Sequence, residues 1–307
     1  MKALVISGGG SKGAFAGGVV EFLTNECGES YDLLLGTSTG SLMIPMIALG
    51  KIEHLKKVYT SVTEKDIFSS CPFIFTRKKE TVKTGLNHFG ILWQFLKGEK
   101  TFGSSKALRN LITQSYTPDD FEKIKDLNAN LIVTVTNITL KKVEYKELKE
   151  CSYEDFCDWI WISANMVPFM SLVSKNGYEY ADGGISNIVP IREAIKRGAE
   201  KVDVIVLNPY LKTSQLPPTR NAFSLIMSLF DIMLNQLSIT DVTIGEMEEK
   251  LNHDVDIHFY YTPYVLTNNA LYFEPKKMAL WWQQGYESAK KLDPHYCRLK
   301  TSHKIIN

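Results

Sequence analysis

Net charge is almost absent from this chain. Its 35 Lys and Arg against 34 Asp and Glu leave +1 over 307 residues. No global field draws it to nucleic acid or to an anionic membrane, and nucleic acid is not a favoured partner. Cysteine is scarce. The five (Cys27, Cys71, Cys151, Cys157 and Cys297) are scattered and odd in number, and no pair has zinc-finger spacing. Cys151 and Cys157 read as packed thiols rather than ligands, no metal site is expected, and the pattern fits a reducing compartment. The apolar run from Met1 to Ile6 is too short for a signal-peptide core. No stretch reads as having the apolar length a transmembrane helix needs. A cytoplasmic chain is the resulting expectation. Internal repeats and low-complexity segments are also missing.

What is present is a large apolar fraction, 44%, enough for a substantial core. The length suits one large domain or two modest ones. Buried-strand runs stand at Ala3–Ile6, Tyr31–Leu35, Asn130–Asn137, Lys201–Asn208 and Asp256–Tyr261, with Tyr178–Ala181 as a short strand. Helical patterns fall at Ala14–Asn25, Lys106–Tyr116 (capped by Ser104 or Ser105), Tyr153–Ser163, Phe223–Leu251 and Pro275–Lys291. Ile52–Val62 reads as the end of the helical region after Ser38, and Val143–Tyr145 as a hairpin partner of the strand at 130–137. Thr213–Asn221, with Pro217 and Pro218, is a linker or exposed loop. Strands alternate with helices, so the class is α/β with a central, mostly parallel sheet flanked by helices. Residues 66–100 follow no clear pattern.

Two glycine motifs stand out. Gly36-Thr37-Ser38-Thr39-Gly40 lies between a strand-length run and an apolar helix-like run. Strand, sharp turn and helix is the setting of a nucleophile elbow, which exposes the serine hydroxyl. Upstream, Ser7-Gly8-Gly9-Gly10-Ser11-Lys12-Gly13 joins the first strand to the first helix. Such a glycine run can aim successive N–H groups into one anion-binding concavity. A dinucleotide site would want an acid at the end of the second strand, but Asp32 stands at its start. A Walker A loop fails because Ala14 follows Gly13. An oxyanion hole for Ser38 is the reading that uses both motifs.

A serine hydroxyl needs a base to take its proton. Six histidines are available (His54, His88, His253, His258, His295 and His303), and none sits in a glycine-rich turn at a strand end. Asp182, in the turn Asp182-Gly183-Gly184 after the short strand, is a carboxylate alternative. It would need burial or a short bond to the serine to act as a base. Residue chemistry leaves the choice open.

The three blocks, Gly8–Gly13, Gly36–Gly40 and Asp182–Gly184, taken in this order with the serine early, resemble the patatin-like phospholipases. Ser163-Ala164-Asn165-Met166-Val167-Pro168 is similar to that family's small-residue and proline segment. The resemblance covers roughly residues 1–210, with looser similarity through the final helix. It implies a three-layer patatin-like fold. It implies a Ser38–Asp182 dyad, with Ser38 the nucleophile and Asp182 the base. Amides of Gly9, Gly10 and Ser11 would form the oxyanion hole, flanked by Gly8, Lys12 and Gly13; Gly36, Gly40 and Gly183 complete the motifs. The implied activity is a lipid acyl hydrolase of phospholipase A or lysophospholipase type, without metal or organic cofactor. An acyltransferase with the same dyad and a non-catalytic lipid-binding protein are the alternatives. The expected layout is a catalytic core at 1–210 and a C-terminal helical region at 211–307, packed on the same domain. Transient membrane contact, if present, has its candidates in Trp281, Trp282 and the segment Phe68–Lys79, whose aromatics would otherwise fill the core beside a solvated basic turn.

Overall fold

The computed structural model describes residues 1–78, 81–210, 219 and 221–292. In its first half come β1 (Lys2–Ile6), α1 (Gly13–Glu21), β2 (Leu33–Thr37), α2 (Thr39–Ala48), α3 (Ile52–Ser61), α4 (Glu64–Ile67), β3 (Phe73–Lys78), β4 (Thr81–Leu86), α5 (His88–Leu96), α6 (Lys106–Ser115) and α7 (Pro118–Asp126). Then follow β5 (Asn130–Asn137), β6 (Lys142–Glu147), α8 (Tyr153–Ser163), β7 (Val173–Lys175), β8 (Tyr178–Asp182), α9 (Ile191–Lys196), β9 (Lys201–Val206), α10 (Ala222–Leu251), β10 (Asp256–Tyr261) and α11 (Pro275–Leu292).

The main sheet has the order β10-β9-β1-β2-β5-β8-β7, with β6 also beside β5. From β10 to β5 the strands are parallel. β6, β7 and β8 close that side antiparallel. Strands buried on both faces read as near-continuous apolar runs, as in Ala3–Ile6 of β1 and Leu33–Leu35 of β2, whereas Asp203 interrupts β9 and Thr134 and Thr136 interrupt β5. Alternation still assigns the faces. Leu4, Ile6 and Leu34 enter the larger core under α1, α2, α8 and α11. Ala3, Val5, Leu33 and Leu35 enter the smaller core with Ile191 of α9 and Val242 of α10. This is the three-layer arrangement that the resemblance implies, a mostly parallel sheet between helical layers.

The helix boundaries match the periodicity closely, with local differences. The region after Ser38 is two helices, because the chain turns at Gly50, whose φ is +68°. Ser105 sits at the start of α6, but its hydroxyl makes no cap bond; it hydrogen-bonds Asn165 instead. Phe223–Leu251 lies within a single helix, α10. The patternless stretch folds as the hairpin β3–β4 and the helix α5. Much of the Thr213–Asn221 linker, including Pro217 and Pro218, lies outside the described residues.

Three expectations need correction. Trp281 and Trp282 are 4% and 1% exposed, so both belong to the core and cannot meet a membrane. Phe68 and Phe73 are equally buried, which leaves the aromatics of that segment as core fillers; Lys79 lies outside the described residues. Against the expectation of no membrane-length run, α10 does reach it: a window within Ser224–Leu251 has mean hydropathy 1.3 and is mostly unburied. Cys71, Cys151 and Cys157 are free thiols, whereas Cys27 is disulfide-bonded, so cysteine usage does not single out a reducing compartment.

Trp282 docks α11 onto α1. Its ring lies where a Cβ on Gly17 would be, 2.0 Å from the indole, and its Nε1–H donates to Glu21. Removing a fully buried indole loses its transfer free energy and leaves a cavity. Trp282→Ala is therefore expected to lower the unfolding free energy by about 3–5 kcal/mol, read by urea denaturation.

Candidate active site

The elbow is built by close packing. A Cβ on Gly36 would lie 2.4 Å from the Gly40 carbonyl carbon, and one on Gly40 would lie 2.3 Å from the Ile6 carbonyl oxygen. Only glycine lets β2, α2 and β1 approach so closely. The left-handed backbone is carried by Ser38 itself, at φ 55° and ψ −118°. A non-glycine residue held there stores strain on the order of 1–3 kcal/mol, which its surroundings must hold in place. Here the Ser38 N–H donates to Ser163 Oγ at 3.0 Å, and Ser163 donates onward to the Thr134 carbonyl at 2.6 Å. Ser41 Oγ donates to the Ser38 carbonyl at 2.5 Å. Ser38 also occupies the N-cap position of α2, at the positive end of that helix, without a side-chain cap bond.

Asp182 ends β8, and its main chain is fixed from both sides. Its N–H donates to the Asn165 carbonyl at 2.9 Å, and Thr136 Oγ1 donates to its carbonyl at 2.8 Å. The carboxyl is buried, with Gly184 N–H donating to Oδ1 at 2.7 Å. Burial pushes its pKa up to about 7, against the opposing pull of hydrogen bonds from Gly184 N–H and the Ser38 side chain. The structure thus brings Ser38 and Asp182 together. It does not bring the histidines. His258 lies within β10 with Nδ1 3.6 Å from Asp203, His253 is exposed, and among the described residues no histidine lines the cavity at Ser38.

The glycine loop sits beside the serine. A Cβ on Gly8 would be 3.3 Å from Ser38 Cβ. Its amides are not equivalent. Gly8 N–H donates to the Ile188 carbonyl at 3.1 Å, Ser11 N–H to the Ala270 carbonyl at 2.9 Å, and Lys12 N–H to the Gly9 carbonyl at 3.2 Å. Ser11 is fully buried. The expectation that Ser11 completes an oxyanion hole is therefore corrected: its N–H is already committed. Among the described residues, Gly9 and Gly10 N–H have no backbone acceptor, and both glycines line the cavity. Gly10 holds φ +55°, with a Cβ excluded by the Ala270 oxygen at 2.2 Å. Lys12 Nζ reaches Asn208 Oδ1 at 2.9 Å, across the crevice at the carboxyl ends of β1 and β9. Gly13 starts α1, and Gly183 lies against the Thr134 carbonyl, 2.2 Å from where its Cβ would be.

A cavity of about 160 Å³ runs from Gly9, Gly10, Ser38 and Asp182 into an apolar interior lined by Leu42, Met46, Leu55, Val58, Leu108 and Ile112. Met227, Phe230 and Leu234 of α10, with Ala270, Leu271 and Phe273, form other parts of its wall. No group of three or more metal-ligating side chains occurs among the described residues.

Sequence reasoning missed two supports. Asp241 Oδ2, on α10, accepts from Ile188 N–H and Val189 N–H, both at 2.9 Å. Burial pushes its pKa up to about 6, against these bonds and one from Asn187. Ala270, which holds the glycine loop through Ser11, is the other. Neither residue lies in a motif, and each acts across a long sequence separation.

A family model described as Patatin-like phospholipase matches residues 4–195. The chain belongs to the patatin-like phospholipase family. The "Uncharacterized protein YjjU" of Escherichia coli (strain K12) is 26% identical over 217 residues, 66% of this chain and 51% of that protein. The match thus spans about half the length of that curated relative. VipD from Legionella pneumophila has a similar fold, with a TM-score of 0.51 at 16% identity, covering 96% of this chain and 67% of that one.

The raised Asp182 pKa has a consequence for this patatin-like protein's stability. The native state holds a proton that the unfolded chain releases, so stability falls as pH rises from about 4 to about 7. Asp182→Asn removes that loss. The variant is expected to match wild type near pH 4 and to exceed it above about pH 8 by on the order of 4 kcal/mol, measured by urea unfolding across the pH range.

Proposed function

We propose that the protein is a lipid acyl hydrolase of phospholipase A or lysophospholipase type, acting through an acyl-enzyme on Ser38. The observation that carries this reading is that Ser38 and the buried carboxyl of Asp182 stand together at the head of an apolar cavity. An acyl chain suits the apolar interior, and the ester carbonyl would then stop at the polar end.

Ser38 Oγ attacks the ester carbonyl carbon while Asp182 takes the hydroxyl proton. The carbonyl π pair moves onto oxygen, and the Gly9 and Gly10 N–H groups would receive the charge. Collapse of this intermediate breaks the bond to the alcohol, which leaves with the proton held by Asp182. Water then attacks the acyl-Ser38 ester, giving its proton to Asp182, and the freed serine recovers that proton as the fatty acid departs. A carboxyl with its pKa near 7 is better matched to both proton transfers than an ordinary Asp near 3.9. The cycle closes with no metal or organic cofactor.

Fatty acid release from mixed phospholipid vesicles and hydrolysis of a short-chain soluble ester test the reading. Ser38→Ala and Asp182→Asn are each expected to lower kcat by at least about 10³-fold. Full activity in Asp182→Asn would remove Asp182 as the base. With the soluble ester, kcat/KM is expected to rise with pH through about 7, because the base must be ionised. A profile flat from pH 5 to pH 9 would contradict the assignment.

A further inference from the structure

Two helices turn apolar side chains to solvent beyond anything the core requires. On α5, Phe89 is 88%, Leu96 71% and Trp93 59% exposed. On α10, Leu225, Leu229, Ile232 and Met233 are exposed, and between Ala222 and Thr240 the single charged residue is Asp231. A helix on the surface of a soluble protein ordinarily turns polar residues outward. This one is apolar on both sides: Met227, Phe230 and Leu234 line the cavity, whereas Leu225, Ile226, Leu229, Ile232 and Met233 face out.

The two surfaces are joined. Ring centroids step from Phe230 to Phe169 at 5.6 Å, from Phe169 to Phe102 at 5.9 Å, and from Phe102 to Phe95 of α5 at 6.0 Å. Met170, beside Phe169, is in the cavity wall. A continuous line of packed rings thus runs from α5 through the buried Phe169 to Phe230 in the cavity wall. At the end of α5, Lys97 Nζ lies 5.3 Å from the Trp93 ring centre. An aromatic body with an adjoining cation suits the boundary between acyl chains and anionic or zwitterionic head groups.

We propose that the exposed faces of α5 and of the first half of α10 form one docking surface for a phospholipid layer, which sets the cavity against the lipid. The proposal rests on the acyl-hydrolase reading, since a lipid ester is what the cavity would draw from that layer. Continuity with the cavity wall and the Trp93–Lys97 pair favour lipid over a second copy of the chain. A self-association face would have no need to lead into the cavity.

Phe89→Glu with Trp93→Glu, and separately Leu229→Glu with Ile232→Glu, place charge at positions already open to solvent. The full chain is tested by co-sedimentation with phosphatidylcholine vesicles, with and without a phosphatidylglycerol fraction. Each double variant is expected to lose vesicle binding and vesicle-derived fatty acid release by about tenfold or more, and to keep soluble-ester hydrolysis within about twofold. Wild-type binding no stronger than that of the variants would overturn the proposal. So would a wild-type dimer, seen by sedimentation velocity, that the variants dissociate while vesicle binding is unchanged. If wild type binds vesicles through these faces yet cleaves neither vesicle lipid nor soluble ester, docking stands and the hydrolase reading falls.

Discussion

The geometry around Ser38 depends on keeping a carboxyl, that of Asp182, buried. Asp182 accepts a hydrogen bond from Gly184 N–H, and burial still raises its pKa to about 7. Such a group is tolerated only where its surroundings are held rigidly. The holding is done by the backbone. Residues 182–189 are strung between two carboxylates, Asp182 receiving Gly184 N–H and Asp241 receiving Ile188 and Val189 N–H. The same segment returns the Ile188 carbonyl to Gly8. The loop that bears the aspartate and the loop that bears the glycines are thereby locked together, with the strained Ser38 between them.

The chemistry-bearing blocks were legible because each has a local physical signature. Glycine where strand and helix nearly touch, a serine between them, and an Asp-Gly-Gly turn can all be read without knowing the fold. The parallel strands were legible as well, since burial on both faces gives unbroken runs such as Leu33–Leu35 and Val204–Leu207. The surrounding selection was not. Nothing near Ser11 in the sequence reveals that Ala270, 259 positions away by number, takes its N–H. Nothing near Asp241 announces that it serves a loop more than 50 residues earlier. Pairings of this kind exist only once the sheet order has brought separate crossovers to one edge.

Apolar composition misled in two directions. Trp281 and Trp282 carry the residue type of an interfacial anchor but pack between α1 and α11. The stretch holding α5 gave no clear pattern, yet it exposes Phe89 and Trp93. Composition states how much apolar surface a segment has; the partner helix decides whether that surface is covered. The hydropathy of α10 is ambiguous for the same reason. Its second half is packed, with Gly245 against Ile191 and Val242 in the smaller core, while its first half stays open.

The bond from Ser11 N–H to the Ala270 carbonyl bears on where this protein can be divided. The family model ends at residue 195, yet the glycine loop is pinned by residue 270, the aspartate loop by residue 241, and the cavity is walled by residues of α10 and by Met278 of α11. The segment that the family model matches is therefore shorter than the smallest piece of chain able to hold its own geometry. Grafting or excising it at the family boundary would carry over every motif and leave behind the contacts that give those motifs their shape.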